Sequence, residues 1–250
     1  MFVDALTPPV IEQEFQVEAP YVFDMKLADV TGDQINDYIY LTGSKQSPDA
    51  IYEEDVTVYI VDGVTNEAIT QTLPIKGGYG GELFVGDFNQ DLTADVYVSL
   101  SSGGSGNIHY YYLYSFKDKK PVKLFDYDVF NQLSDWTVQF LDQYKVELRQ
   151  NKLHQTFILD ISKQNPQLLL QYYALDGSVK GNIQGDVLPL GGLAPTITPI
   201  GNGAFNLVAS QRIIGVAMVD AIGVVETYLT FRGEQFVPYT IVVGEHRYLE

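Results

Sequence analysis

Two nine-residue stretches, 58 positions apart, place oxygen-bearing side chains at the same points and then run into alternating, strand-like sequence. The first is Asp29-Val30-Thr31-Gly32-Asp33-Gln34-Ile35-Asn36-Asp37 and the second is Asp87-Phe88-Asn89-Gln90-Asp91-Leu92-Thr93-Ala94-Asp95. At positions 1, 3, 5 and 9 they carry Asp29, Thr31, Asp33 and Asp37 in one copy, and Asp87, Asn89, Asp91 and Asp95 in the other. At position 7, Ile35 and Thr93 have main-chain carbonyls to offer. Calcium takes about 6–8 hard oxygens at about 2.3–2.6 Å, and a tight loop supplies them by turning alternate side chains inward. Gly32 suits the left-handed backbone of such a turn, and Gln90 suits it less well. Three carboxylates within nine residues repel one another unless a cation lies between them. The competing account is a pair of Asp/Asn-rich turns whose carboxylates accept hydrogen bonds and hold no metal. The shared register favours calcium, about two ions. An EF-hand is disfavoured by the missing glutamate at position 12 and the lack of flanking helices.

Around these loops the chain reads as short β-rich runs separated by turn signals, with little helical periodicity. Strands are expected at Asp37–Leu41, Val56–Val61, Glu82–Val85, Val96–Leu100, His109–Phe116, Val138–Leu148, Gln155–Ile161, Leu168–Ala174, Leu207–Arg212, Val224–Phe231 and Phe236–Val243. One segment, Asp126–Trp136, reads as helical. A third, decayed copy of the loop falls at 198–210, with Gly201 aligned to Asp87 and the carboxylates lost. A further copy is expected near Asp142–Asn151. Four units of roughly 57 residues then account for nearly the whole chain.

The loops resemble the FG-GAP or VCBS repeat of integrin α propellers and bacterial surface proteins, whose pattern is D-x-[DN]-G-D-x-x-x-D before a strand. The resemblance covers residues 27–41 and 85–100, and the strand Gln211–Gly215 resembles that of a Firmicute group of VCBS-repeat proteins. Thr31 and Gln90 depart from the pattern. The resemblance implies an all-β fold of propeller-like antiparallel blades with Asp-rich calcium loops. It also implies an extracellular or cell-envelope protein that binds a protein or carbohydrate ligand.

Composition narrows the alternatives. Fifteen basic residues against 32 acidic ones leave a net charge of −17, which disfavours nucleic acid and anionic lipid as partners and favours cations. The absence of cysteine removes thiol nucleophiles, thiolate zinc sites and disulfides. No apolar run is long enough to span a bilayer, and the first residues lack the basic and apolar regions of a signal peptide. His109, His154 and His246 have no partner at metal-ligand spacing. Residues 101–106 miss the G-x-S-x-G elbow because Asn107 follows, and the glycines of 77–81 match no nucleotide motif. The row Tyr110, Tyr112, Tyr114 and the opposite row of Tyr111 and Leu113 imply one core face and one face that either packs between blades or lies open to a ligand. Trp136 is expected in the core or between blades. The domain is expected to span 21–248 after an irregular lead-in over 1–20. The expected function is a calcium-binding adhesion or interaction scaffold without catalysis. A hydrolase using paired carboxylates and a structural envelope or coat component are the alternatives.

Overall fold

The computed structural model describes residues 20–104 and 108–245, so the expected lead-in over 1–20 lies outside it except for its last position. The chain is all-β, folded into two antiparallel sheets of eight strands each. The first contains β1 (Tyr21–Ala28), β2 (Asp37–Ser44), β3 (Tyr52–Val61), β4 (Ala68–Thr72), β5 (Gly77–Gly86), β6 (Asp95–Ser101), β7 (His109–Ser115) and β8 (Val122–Asp126). The second contains β9 (Trp136–Leu141), β10 (Lys145–Gln150), β11 (Gln155–Asp160), β12 (Gln184–Val187), β13 (Gly192–Ile197), β14 (Phe205–Ile214), β15 (Ala221–Arg232) and β16 (Gln235–Glu245).

The 58-residue repeat is visible as backbone. Strands β1 to β4 form one meander and β5 to β8 another. Ala28 pairs with Asp37 where Gly86 pairs with Asp95, and Met25 pairs with Tyr40 where Leu83 pairs with Val98. Alternation sets the faces: in β2, Ile39 and Leu41 are buried while Tyr38 is exposed, as period-two side chains require. The Ile39 face meets Val96, Val98, Tyr112 and Tyr114 of the second meander, giving the first core. The opposite face of that meander, with Tyr97, Tyr111 and Leu113, packs on Leu193, Leu207 and Leu229 of the second sheet. A third core lies within the second half, around Phe140, Leu148, Tyr173 and Val225. Each fully buried aliphatic or aromatic side chain in these layers contributes about 1.5–3 kcal/mol.

The even spacing of four units holds only for the first two meanders. Their sheets are also continuous, since Tyr52, Glu53 and Glu54 of β3 pair with Tyr79, Gly78 and Gly77 of β5. Glycine permits that approach, because a Cβ at Gly77 would run into the Glu53 carbonyl oxygen. In the second half, β13 to β16 form a third meander, and β12 joins β14 to the β9–β10–β11 hairpins.

Three local expectations need correction. Leu168–Ala174 is not a strand: Pro166–Tyr172 is helix α2, started by the Asn165 side chain, which accepts from Gln167 N–H, and by Pro166 in the first turn. Its buried residues Leu169 and Tyr172 are one helical turn apart. Val138–Leu148 is a hairpin rather than one strand, because Gln143 and Tyr144 adopt left-handed φ values of 60° and 58° and reverse the chain. That same hairpin stands where the fourth loop copy was expected. The helix expected within Asp126–Trp136 is present as α1 (Tyr127–Leu133), capped by Asp126. Both tyrosine rows of β7 are packed inside, one in each adjoining core, so neither forms an open platform. Trp136 is partly buried against Phe157.

Candidate functional site

The two acidic loops occupy the same place in the repeat: residues 29–37 connect β1 to β2, and residues 87–95 connect β5 to β6. Their backbones coincide in kind as well. Gly32 and Gln34 have φ of 89° and 71°, and Gln90 and Leu92 have φ of 66° and 67°. Two left-handed residues in each loop point successive N–H groups toward the first aspartate.

Those N–H groups find carboxylate oxygens. Asp29 Oδ1 accepts from Gly32 N–H at 2.7 Å and Oδ2 from Gln34 N–H at 2.8 Å. Asp87 repeats this, with Oδ1 accepting from Gln90 N–H at 2.7 Å and Oδ2 from Leu92 N–H at 3.0 Å. At position 5, Asp33 accepts from Ile35 N–H and Asp91 from Thr93 N–H, both at 2.9 Å. Asn89 exchanges bonds with Asp91 through both ends of its amide. Position 7 diverges, since Ile35 is exposed and Thr93 buried.

Position 9 lies at the mouth of the following strand, fully buried in both copies. Asp37 is saturated: Oδ2 accepts from Val30 and Thr31 N–H, and Oδ1 from Gly63 N–H at 2.9 Å. Asp95 accepts from Phe88 N–H through Oδ2, but its Oδ1 is buried and completes no hydrogen bond. Burial therefore raises the Asp95 carboxyl to about 7, only partly offset by the Phe88 N–H and the nearby Ser115 hydroxyl. The charges of Asp91 and Asp87 push it the same way as burial. Thr31 Oγ1 is likewise buried without a partner.

Two lysines from the turn after β7, which the motif reading missed, supply positive charge beside the loops. Lys117 Nζ donates to the Asp91 carbonyl at 3.0 Å and lies 3.5 Å from Asp91 Oδ2. Lys119 Nζ lies 3.2 Å from Asp62 Oδ2 and 3.3 Å from Glu67 Oε2. They lie more than twenty residues along the chain from the aspartates they meet, so no local spacing signals them.

The fit of these residues to calcium can be judged atom by atom. In loop 1 every oxygen of Asp29 and Asp37 already accepts a main-chain N–H. In loop 2 the Asp91 carboxylate faces an ammonium group. Among the described residues no group of three or more His, Cys, Asp or Glu side chains is arranged to hold a metal ion.

The third copy is present in a different register. Phe205 N–H donates to the Asp87 carbonyl at 2.7 Å, as Ala94 N–H donates to the Asp29 carbonyl at 3.1 Å. The equivalence therefore runs from Thr198 to Asn206, not from Gly201, because it is set by which residue reaches the preceding loop. Asn206 is buried in the place of Asp37 and Asp95, and its amide donates to Thr198 Oγ1 at 2.6 Å.

Elsewhere, His109 is half-buried and stacks on Tyr111 at 5.8 Å, and His154 lies in an exposed turn. His246 and residues 105–107 fall outside the described residues. A cavity of about 200 Å³ between α1 and the strands β9, β15 and β16 is lined by Phe130, Trp136, Leu229, Phe236 and Ile241, with no carboxylate. Among the described residues no helix is long and apolar enough to cross a membrane.

Residues 134–244 match the family described as the YybI C-terminal domain. Over 231 residues, 88% of this chain and 87% of the relative, the sequence is 33% identical to YybI of Bacillus subtilis (strain 168), an uncharacterized protein. No solved structure matches. The resemblance to FG-GAP and VCBS repeats is corrected by these matches. It rested on two short nonapeptides, whereas the similarity to YybI runs over most of the chain.

Proposed function

The chain belongs to the YybI family, and on that premise we propose that it is an interaction scaffold without catalytic activity. Its acidic loops act as staples that join successive meanders into a propeller-like stack. One observation carries this reading: each loop folds its own N–H groups onto its carboxylates and then passes a carbonyl to the next loop in line. A charged side chain with two or more N–H partners is satisfied without any ion, and such bonds are worth about 1.5–3 kcal/mol each. The two cores on either side of the second meander support the stacked arrangement, and the apolar lining of the cavity beside α1 favours a binder over a hydrolase that needs paired carboxylates. A protein or carbohydrate ligand and a position at the cell envelope belong to the same proposal.

A second reading, calcium held by the loops, is favoured by two buried oxygens that lack partners, Asp95 Oδ1 and Thr31 Oγ1. A cation there would draw on Asp87, Asn89, Asp91, Thr93 and Asp95 in loop 2 and on the matching residues of loop 1. Thermal melts in EDTA and in millimolar calcium separate the two readings. The staple reading expects coincident melts. A rise of several degrees with calcium, abolished in Asp91→Ala, overturns it in favour of the ion.

A further inference from the structure

The cavity beside α1 lies where two cores fail to meet. Trp136 and Ile241 border the core of the second half, and Phe130 and Phe236 border the core between the sheets. On β15, Val225 enters the first of these cores and Leu229 the second, and Thr227 stands between them on the same face. The Thr227 side chain lines the cavity wall and is 7% exposed. The space, about 200 Å³, is far larger than the voids that ordinary core packing leaves. It is open on one side, where Leu133 and Leu153 are 56% and 43% exposed.

The polar groups on this wall are spent, with one exception. Trp136 Nε1 donates to Ser134 Oγ at 3.0 Å, and Ser134 Oγ donates to Gln211 Oε1 at 2.7 Å. Gln150 donates through its amide nitrogen to the Leu133 carbonyl and accepts through its oxygen from Leu153 N–H. Lys152, exposed at the rim, donates to the Gln132 carbonyl at 2.7 Å. Thr227 completes no side-chain hydrogen bond among the described residues. A water held in such a space needs about 2–4 polar partners, and the wall offers one hydroxyl.

We propose that the cavity is a binding site for a small uncharged aromatic molecule, a single ring carrying one hydrogen-bonding substituent such as a hydroxyl. Size limits the ligand to roughly one ring, since an apolar cavity of about 150 Å³ admits benzene. The rings of Phe130, Trp136 and Phe236 give it aromatic partners, and Thr227 Oγ1 pairs with its substituent. A charged group buried there would find no ion-pair partner deeper than the rim, and its desolvation would go uncompensated. The inference goes beyond the scaffold reading and stands whether or not the acidic loops hold an ion.

Trp136 is the chain's one tryptophan and lines the cavity, so its fluorescence reports occupancy directly. Titration of the full chain with phenol is expected to change that emission saturably, with half-saturation at or below about 1 mM. Thr227→Val keeps the shape and removes the hydroxyl. It is expected to weaken phenol about three- to tenfold and to leave toluene, which has no hydroxyl, unchanged. Ile241→Phe fills the space and is expected to weaken both at least about tenfold with the circular dichroism unchanged. No saturable response to phenol or toluene up to about 10 mM overturns the site, and so does saturable binding that survives Ile241→Phe. Benzoate binding more tightly than phenol, or phenol and toluene losing equally in Thr227→Val, overturns the uncharged, hydroxyl-paired ligand.

Discussion

The main-chain carbonyl of Asp29 accepts the N–H of Ala94 at 3.1 Å, fastening the first residue of one acidic loop to the last-but-one residue of the next. The Asp87 carbonyl does the same with Phe205, which belongs to a loop that has no carboxylate left. The link between meanders is thus made by backbone, and the aspartate side chains serve to hold that backbone in shape. Four consequences can be measured.

Removing Asp37 costs more than removing Asp33. Asp37→Ala leaves three main-chain N–H groups without an acceptor at a buried site, an expected loss of about 3 kcal/mol or more. For a chain of this length that is a fall of about 6 °C or more in Tm. Asp33→Ala loses one exposed bond and is expected to stay within about 0.5 kcal/mol. Urea denaturation of the two variants checks the order, and a larger loss for Asp33→Ala would contradict the staple role.

Acid should weaken the turn after β3 in a defined window. The Thr65 N–H and hydroxyl, with Lys119, hold the Asp62 carboxyl down to about 2 from its ordinary 3.8. A depressed folded-state value contributes stability that is fully present above the unfolded value and is lost as pH falls through the folded one. Stability should therefore decline between about pH 5 and pH 2, and Asp62→Asn should flatten that decline. Equal acid slopes in the two proteins would exclude Asp62 as a contributor.

Leu92 sits left-handed at φ 67° with 94% of its surface exposed, so its side chain strains the backbone and buries nothing. Leu92→Asn keeps the loop and relieves that strain, with an expected gain of about 0.5–1 kcal/mol. Calorimetry decides it, because a drop in Tm would mean that Leu92 has a contact not visible in the isolated chain.

The ladder between β3 and β5 depends on Gly77. Its φ of 153° and the nearness of the Glu53 carbonyl leave no room for a side chain. Gly77→Ala is expected to cost about 2 kcal/mol or more and to speed amide exchange in Tyr52 to Glu54 ahead of the rest of β3. Uniform exchange along the strand would show that the two meanders do not depend on this junction.

Much of the loop architecture was legible in the nonapeptides. Their common register, the left-handed backbone at Gly32 and Gln90 and the strands that follow are all local, settled by residues within nine positions of one another. The β-rich class was legible for the same reason, through alternation, and the helix at Tyr127–Leu133 lies within the segment Asp126–Trp136 that reads as helical. Tertiary structure decided the rest. Whether Asp37 and Asp95 have full sets of partners depends on Gly63 and Ser115, which arrive from the turn after β3 and from the end of β7. That Leu168 to Tyr172 coils rather than extends depends, beyond the local start at Asn165 and Pro166, on the core that Leu169 and Tyr172 enter. Which tyrosines are buried depends on which meander lies opposite, so Tyr112 is enclosed and its equivalent Tyr59 is open. Hydrogen-bond geometry along a turn is written into neighbouring residues, whereas the surface that covers a sheet face comes from distant chain and leaves no spacing to read.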